Sequence, residues 1–247
     1  LGSNTGFTKN PTNELAEQTS YYVQIAATAF DDPSSNSYAG IANKTSLSFT
    51  TADETAPTIS SFSPADDATA VATTSNIVLN FSEAVDVETG NIVIYKASDD
   101  SVVETIDVTS SKVTGTGSTQ ITINPGSDLA EQTEYYVQIA ATAFDDSSSN
   151  SYAGISDTTT LSFTTADETN PSLSSSTPAD NATAVATTSN IVLNFSEAVD
   201  VETGNIVIYK SSDDSVVETI DVTSGQVTGT GSTQITINPS SDLTEQT

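Results

Sequence analysis

The chain repeats itself with a period of 114 residues, and this period constrains the fold more than any other feature of the sequence. Residues 53–133 and 167–247 align without a gap, and 70 of the 81 paired positions are identical. Such a repeat indicates tandem copies of one structural unit, each with its own core. The sequence therefore predicts three parts: 1–52 as the C-terminal part of one repeat, 53–166 as a complete repeat, and 167–247 as the N-terminal part of a third.

Short runs of alternating apolar and polar residues recur along the complete repeat. Ile77, Leu79 and Phe81, for example, alternate with polar or outward-facing positions and so lie on one face of a strand. Runs of this length, separated by turn residues and without a helical period, predict an all-β antiparallel sandwich of about seven strands, A to G. The predicted strands are Thr58–Phe62, Asn76–Phe81, Asn91–Tyr95, Val102–Val108, Gln120–Ile123, Tyr135–Ala141 and Thr160–Thr164.

A leucine lies six residues before a strand-initiating tyrosine in two of the copies, as Leu15 with Tyr21 and as Leu129 with Tyr135. This layout is typical of a tyrosine corner, in which the hydroxyl of a tyrosine at the start of strand F bonds back to the E–F crossing. The first part of the chain is therefore expected to hold strands E to G, with F and G in residues 20–52. The third part holds A to E and lacks F and G.

Four motifs of the repeats resemble those of a known family. They are Pro178–Val185 (PADNATAV), Asn190–Val199 (NIVLNFSEAV), the leucine-to-tyrosine corner and the closing Leu161–Thr165 (LSFTT). In this order they resemble bacterial Ig-like domains of the S-layer type, which recur in tandem in S-layer proteins and large surface adhesins. The resemblance covers residues 53–166 and the matching parts of the other copies. It implies tandem Ig-like β-sandwiches with a spacing or adhesive role, on a bacterial cell surface or secreted.

The charge of the chain bears on its partners. It carries 33 acidic residues against five lysines, with a formal net charge of −28. Nucleic acids and anionic membranes need a cationic surface, so neither is an expected partner. No apolar run approaches the roughly 18 residues of a membrane-spanning helix, so no membrane insertion is expected. The expected partners are neighbouring repeats of the same chain, or identical subunits, together with cations.

The residue types available disfavour catalysis. The chain has no histidine and no cysteine, which removes the usual bases and thiol nucleophiles. Paired carboxylates can catalyse glycoside hydrolysis, but pairs such as Asp99 and Asp100 are adjacent in sequence. Adjacent aspartates more often close turns. The sequence therefore predicts a protein that is not an enzyme.

Two other functions are open at this stage. In the first, residues 20–52 of one molecule complete the third domain of the next by strand addition, which makes a self-assembling filament or S-layer subunit. The opposing explanation is that the repeat is simply cut at an arbitrary point. The second is a carbohydrate-binding module, for which Tyr95 and Tyr152 are the candidate exposed aromatic residues of the complete repeat. The opposing interpretation is that both tyrosines pack at a strand end or loop.

The acidic residues suggest a cation site where successive domains meet. The linker acids are expected to approach the B–C loop, placed at residues 82–88, and the F–G loop of the domain that follows. Ca²⁺ takes six to eight oxygen ligands in flexible loops and would stiffen such a junction. The opposing interpretation is a solvated acidic surface. The candidate ligands are Asp53, Glu54, Glu83, Asp86, Asp145 and Asp146 at the first junction, and Asp167, Glu168, Glu197 and Asp200 at the second.

Overall fold

The computed structural model describes residues 11–240, in which strands are joined by turns and irregular segments and no helix occurs. No described segment is a helix that could cross a membrane. The chain divides into two compact units, Leu1–Glu168 and Thr169–Thr247. The first unit therefore contains the complete repeat together with the fragment that precedes it.

The strands of both units are short. In the first unit they are β1 (Ser20–Tyr22), β2 (Ser48–Thr50), β3 (Ile59–Ser63), β4 (Ala68–Val71), β5 (Ile77–Val87), β6 (Asn91–Lys96), β7 (Ser101–Asp107), β8 (Val113–Thr114), β9 (Ser118–Ile123), β10 (Glu134–Ile139), β11 (Phe144–Asp145) and β12 (Ser162–Thr165). In the second they are β13 (Leu173–Thr177), β14 (Ile191–Val199), β15 (Asn205–Lys210), β16 (Ser215–Asp221), β17 (Val227–Thr228) and β18 (Ser232–Ile237).

Two five-stranded sheets build the complete repeat. One has the order β4-β12-β10-β6-β7, and the other has the order β11-β5-β9-β8 with β3 beside β5. All pairs are antiparallel except β4 with β12, which run parallel. The predicted all-β sandwich is confirmed, and each of the seven predicted strands overlaps an observed one. The strands β4, β8 and β11 were not predicted, because two to four residues are too few to show a period.

The core of the complete repeat is built from the inward-facing residues of both sheets. On the central strands these residues alternate with more exposed ones, as a sandwich requires. Burial of each large aliphatic side chain contributes roughly 1.5–3 kcal/mol before the entropy of ordering is subtracted. Those at most 1% exposed include Ile77, Leu79, Ile92, Ile94, Ile106, Ile121, Ile123 and Leu161.

The tyrosine corner forms as predicted. The hydroxyl of Tyr135 accepts a hydrogen bond from the backbone N–H of Ala130 at 2.9 Å. Tyr21 accepts the same bond from Ala16, also at 2.9 Å. Both bonds tie the start of strand F to the preceding crossing, and this contact depends only on residues close in sequence.

One predicted loop is instead part of a strand. Residues 82–88 were expected to form the B–C loop, but β5 continues through Val87 with a register shift between Asn80 and Val85. The side chain of Val85 is buried, and its carbonyl accepts a 2.8 Å bond from Gly117 N–H. Gly117 has a φ of +76°, which glycine adopts without strain. The register shift changes the face of the sheet to which the residues after Phe81 point.

The two flanking parts bury much less. In the second unit β13-β14-β18-β17 form one sheet and β15-β16 a separate pair. Its buried core residues are Ile220, Ile235 and Ile237. In the fragment before the complete repeat, β1 and β2 form a hairpin, and no residue between 11 and 52 is buried.

Candidate functional site

Three acidic side chains from distant parts of the first unit converge at one place. They are Asp53 in the linker, Glu83 on β5 and Asp146 just after β11. One carboxylate oxygen from each lies within 4.8 Å of the other two. These three residues form the acidic cluster.

Asp146 is fixed by a tight loop of its own. Its Oδ1 accepts hydrogen bonds from the backbone N–H groups of Ser148 and Asn150 at 2.8 Å each, and Asn150 Nδ2 donates to its Oδ2 at 2.8 Å. Burial by itself raises the pKa of Asp146, but the hydrogen bonds from Asn150 and Ser148 outweigh burial and hold that pKa below its usual value. The side chain is therefore a well-oriented carboxylate.

Asp53 is held from both sides of the linker. Gln18, in the preceding fragment, donates its side-chain amide to Asp53 Oδ2. Asn150, in the complete repeat, donates to the backbone carbonyl of Asp53 at 3.1 Å. The N–H of Thr55 closes a local turn on Asp53 Oδ1 at 3.1 Å.

The negative charges of the other two acids in the cluster shift the pKa of Glu83. Partial burial raises its pKa, and the charges of Asp53, Asp146 and Glu17 raise it further. A raised pKa means that the folded protein disfavours the ionised form of this carboxylate. A bound cation would remove that penalty.

The geometry of the cluster fits a hard divalent cation. Calcium–oxygen distances are about 2.3–2.6 Å, so two oxygens on opposite sides of one ion lie about 4.6–5.2 Å apart. Three oxygens that all contact one ion at these distances lie up to about 4.5 Å apart from one another, so oxygens within 4.8 Å need at most a small inward movement to share an ion. A cleft of about 490 Å³, lined by Asp53, Glu83, Ser147 and Ser148, opens beside them and leaves room for water ligands.

The other candidate ligands of the first junction lie outside the cluster. Glu54 is exposed and is not one of the three clustered acids. Asp86 accepts a hydrogen bond from Thr116 Oγ1 at 3.2 Å. Asp145 is the Cα partner of Asp86 in the pairing of β11 with β5, so both lie in strands and not in the expected loops.

The candidate ligands of the second junction are spread over both units. Gln132 donates its side-chain amide to Asp167, which repeats the contact of Gln18 with Asp53. Glu168 accepts bonds from Thr73 N–H and Oγ1 at 3.3 and 2.7 Å. Glu197 lies on β14, and Asp200 accepts a bond from Thr230 Oγ1 at 3.2 Å. The second site stays a prediction.

Two residues of the first site were not predicted from the sequence. Gln18 and Asn150 supply the amide donors that orient Asp53 and Asp146. The glutamine could have been found from its position in the repeat. Gln18 recurs as Gln132, and each glutamine contacts the first aspartate of the linker that follows it. Predictions based on carboxylates alone overlook such neutral donors.

The aromatic candidates for glycan binding are engaged in packing. Tyr152 is buried against Phe81 with ring centroids 5.3 Å apart, and burial raises its pKa to about 12. Of the two interpretations of Tyr152, packing is therefore confirmed and exposure is not. Tyr95 stacks on Tyr136 with centroids 4.9 Å apart, and Tyr136 donates its hydroxyl to Asp100.

Comparisons with known proteins address the family. A family model described as bacterial Ig-like domain matches residues 53–165 and 167–247. Among solved structures, the chain is similar to the crystal structure of the S-layer protein rSbsC(31-844), with 12% sequence identity and a TM-score of 0.32. That match covers 74% of this chain and 26% of the other, so the chain spans about a quarter of that protein's length. No curated protein matches. Because the family model covers most of the chain, this protein belongs to the family of bacterial Ig-like domains.

Proposed function

We propose that the chain is a structural segment of a bacterial surface or secreted protein. In this role each repeat adds length between the cell and whatever the full protein contacts, and the segment performs no catalysis. Membership of the bacterial Ig-like family and near-identity of successive copies support the proposal. The high negative charge fits it as well, because charge repulsion discourages aggregation between copies that share one sequence.

The observation that carries the proposal is the linker at residues 51–57. Hydrogen bonds from Gln18 and Asn150 hold Asp53, and Thr55 Oγ1 donates to Glu17 at 2.6 Å. The linker is therefore bonded to the fragment before it and to the repeat after it. Pro57 is buried and restricts the backbone further. A spacer needs junctions of this kind, because free linkers let domains collapse onto one another.

Calcium binding at the acidic cluster is part of this proposal. Asp53 comes from the linker, Glu83 from within β5 and Asp146 from the residue after β11. An ion shared by all three would add metal–oxygen bonds across the junction and cancel their mutual repulsion. The junction would then be stiffer with Ca²⁺ than with the linker hydrogen bonds alone.

Small-angle scattering on chains lengthened by one, two and three further 114-residue repeats tests the spacing role. For a stiff array the radius of gyration rises in proportion to the number of repeats, whereas for a flexible string it rises roughly as the square root. We expect linear growth in millimolar Ca²⁺ and weaker growth with a chelator.

Two results would contradict the proposal in different ways. Square-root growth in both conditions would exclude the stiff spacer. Linear growth that is unchanged by chelator would keep the spacer and exclude calcium as the source of its stiffness. Mg²⁺ at the same concentration serves as the control for ionic strength, because it keeps its own water shell and demands octahedral geometry.

A further inference from the structure

The complete repeat pairs a strand near its start with its last strand, and the two run parallel. β4 pairs with β12 through Ala68 with Phe163 and Val71 with Thr165. Among the described residues of the first unit, every other strand pair is antiparallel. Because β4 and β12 run in the same direction, the chain enters β4 at one end of the pair and leaves β12 at the other end.

Hydrogen bonds extend this pair beyond β4 at the end where the chain enters it. The backbone N–H of Ser162 donates to Asp66 Oδ1 at 2.9 Å, and its hydroxyl donates to Asp67 Oδ1 at 3.0 Å. The N–H of Asp67 donates to the carbonyl of Ser162 at 2.9 Å. Ser162 is 6% exposed, so water has little access to these bonds. Bonds to an ionised carboxylate are also stronger than neutral ones.

Further hydrogen bonds extend the pair at its opposite end. The N–H of Ala166 donates to the carbonyl of Val71 at 2.7 Å. Thr73 donates to the carboxylate of Glu168 through its N–H at 3.3 Å and through its hydroxyl at 2.7 Å. Thr73 is itself 8% exposed. The four-residue strand β4 is therefore the middle of a longer bonded segment.

A pull on the two ends of the repeat loads this parallel pair in shear. The force draws β4 back towards its start and β12 onward past its end, so the two strands slide along each other. Backbone hydrogen bonds between strands run across the strands and not along them. They therefore resist the sliding together and must break almost at once. A pair pulled apart from one end loses the same bonds one after another.

We propose that residues 66–73 and 162–168 form a mechanical clamp, which lets the complete repeat carry tension without unfolding. The inference rests on the proposed spacer function and deepens it, because a spacer transmits any force that acts on what the full protein contacts. Forced unfolding is governed by the rate of unfolding and not by equilibrium stability. The direction in which the bonds of the clamp are loaded therefore decides how much force the repeat withstands.

Optical tweezers test the dependence on direction. The chain has no cysteine of its own, so introduced cysteines attach the handles at chosen points. Ala65→Cys with Asn170→Cys pulls β4 from its start and β12 from its end, which shears the clamp. Thr74→Cys with Asn170→Cys pulls both strands from the same end, which unzips it. All three positions are exposed, and both handle pairs leave residues 1–64 and 171–247 outside the path of the force.

We expect a several-fold higher unfolding force for the shearing pair of handles than for the unzipping pair. The gain in length identifies the event, because about 100 extended residues between the handles add roughly 30–35 nm. Without load, both doubly substituted chains should melt at the temperature of the unmodified chain. Equal forces in the two directions, or a higher force for unzipping, would overturn the proposal.

A substitution of Thr73 tests the side chains of the clamp. Thr73→Val keeps the shape of the side chain and removes its hydroxyl bond to Glu168. The matched control Thr116→Val removes a hydroxyl that bonds to Asp86 in the turn between β8 and β9, away from the clamp. We expect Thr73→Val to lower the shearing force and Thr116→Val to leave it unchanged.

An equal loss of shearing force in both threonine variants, or none in Thr73→Val, would overturn the clamp. These results are separate from those of the scattering test, which measures the stiffness of the junctions without load. A repeat without a clamp can still be a stiff spacer, and a flexible array can still contain clamped repeats.

Discussion

Glu83 is the residue at which the acidic cluster affects stability most directly. Its pKa is raised above the ordinary 4.5 by partial burial and by the neighbouring acids. Because the folded-state pKa is the higher one, ionisation of Glu83 opposes folding at pH values above it. The penalty is therefore fully present at neutral pH and disappears as the pH falls through the raised pKa towards 4.5.

Replacing Glu83 tests this reasoning. In chelator at neutral pH, Glu83→Gln should raise the melting temperature, by an amount equivalent to about 0.5 kcal/mol because solvent screens the repulsion. The difference from the wild type should shrink as the pH approaches 4.5. In millimolar Ca²⁺ the order should reverse, since the variant has lost a ligand. Thermal melts at several pH values provide the measurement.

The matched control is Glu134→Gln, which makes the same change of charge at an exposed position of the same repeat, away from the cluster. If Glu134→Gln alters the calcium response as much as Glu83→Gln does, the effect is one of net charge and the cluster is not a binding site.

At the scale of the element, one hairpin sequence occurs in two environments. Tyr135 is buried in the complete sandwich and its hydrogen bond with Ala130 is partly buried, whereas Tyr21 is half-buried and its hydrogen bond with Ala16 is exposed. Both tyrosines accept the same 2.9 Å bond from a backbone N–H. Water replaces a lost acceptor more readily at the exposed hydrogen bond than at the partly buried one, so the same substitution should have different costs.

The pair Tyr135→Phe and Tyr21→Phe measures this difference. Tyr135→Phe removes the acceptor of a partly buried hydrogen bond from the N–H of Ala130 and should cost about 1 kcal/mol in urea unfolding. Tyr21→Phe should change the unfolding of the complete repeat by less than about 0.5 kcal/mol. If both substitutions lowered the free energy of unfolding equally, burial of the corner would have no effect on the strength of its hydrogen bond.

At the scale of the whole molecule, charge is the dominant property. A net charge of −28 in 247 residues favours expanded states, because unfolding moves the charges apart. Monovalent salt screens charges beyond about 10 Å at 0.1 M and about 3 Å at 1 M. The melting temperature in chelator should therefore rise steadily with sodium chloride, at first by several degrees.

A melting temperature that is independent of sodium chloride would mean that the acidic residues are already neutralised, for example by tightly held ions. Comparison of sodium with choline chloride separates general screening from binding of a particular cation. Screening depends only on ionic strength, so both salts should then act alike.

Much of the fold follows from short-range features of the sequence. Period-2 alternation predicts the central strands because side chains of a strand point alternately to its two faces, and Ile92 and Ile94 are buried accordingly. The tyrosine corner is predictable since Tyr135 and Ala130 are close in sequence. The family resemblance rests on motifs of the same local kind.

The candidate site depends on contacts that no local pattern encodes. The register shift in β5 decides that Glu83 meets Asp146 while Asp86 pairs with Asp145. Sequence alone determined that acids occur in the linker and in two segments that it assigned to the B–C and F–G loops. Only the tertiary structure decided which of them meet, because a shift of one residue along a strand turns a side chain to the opposite face.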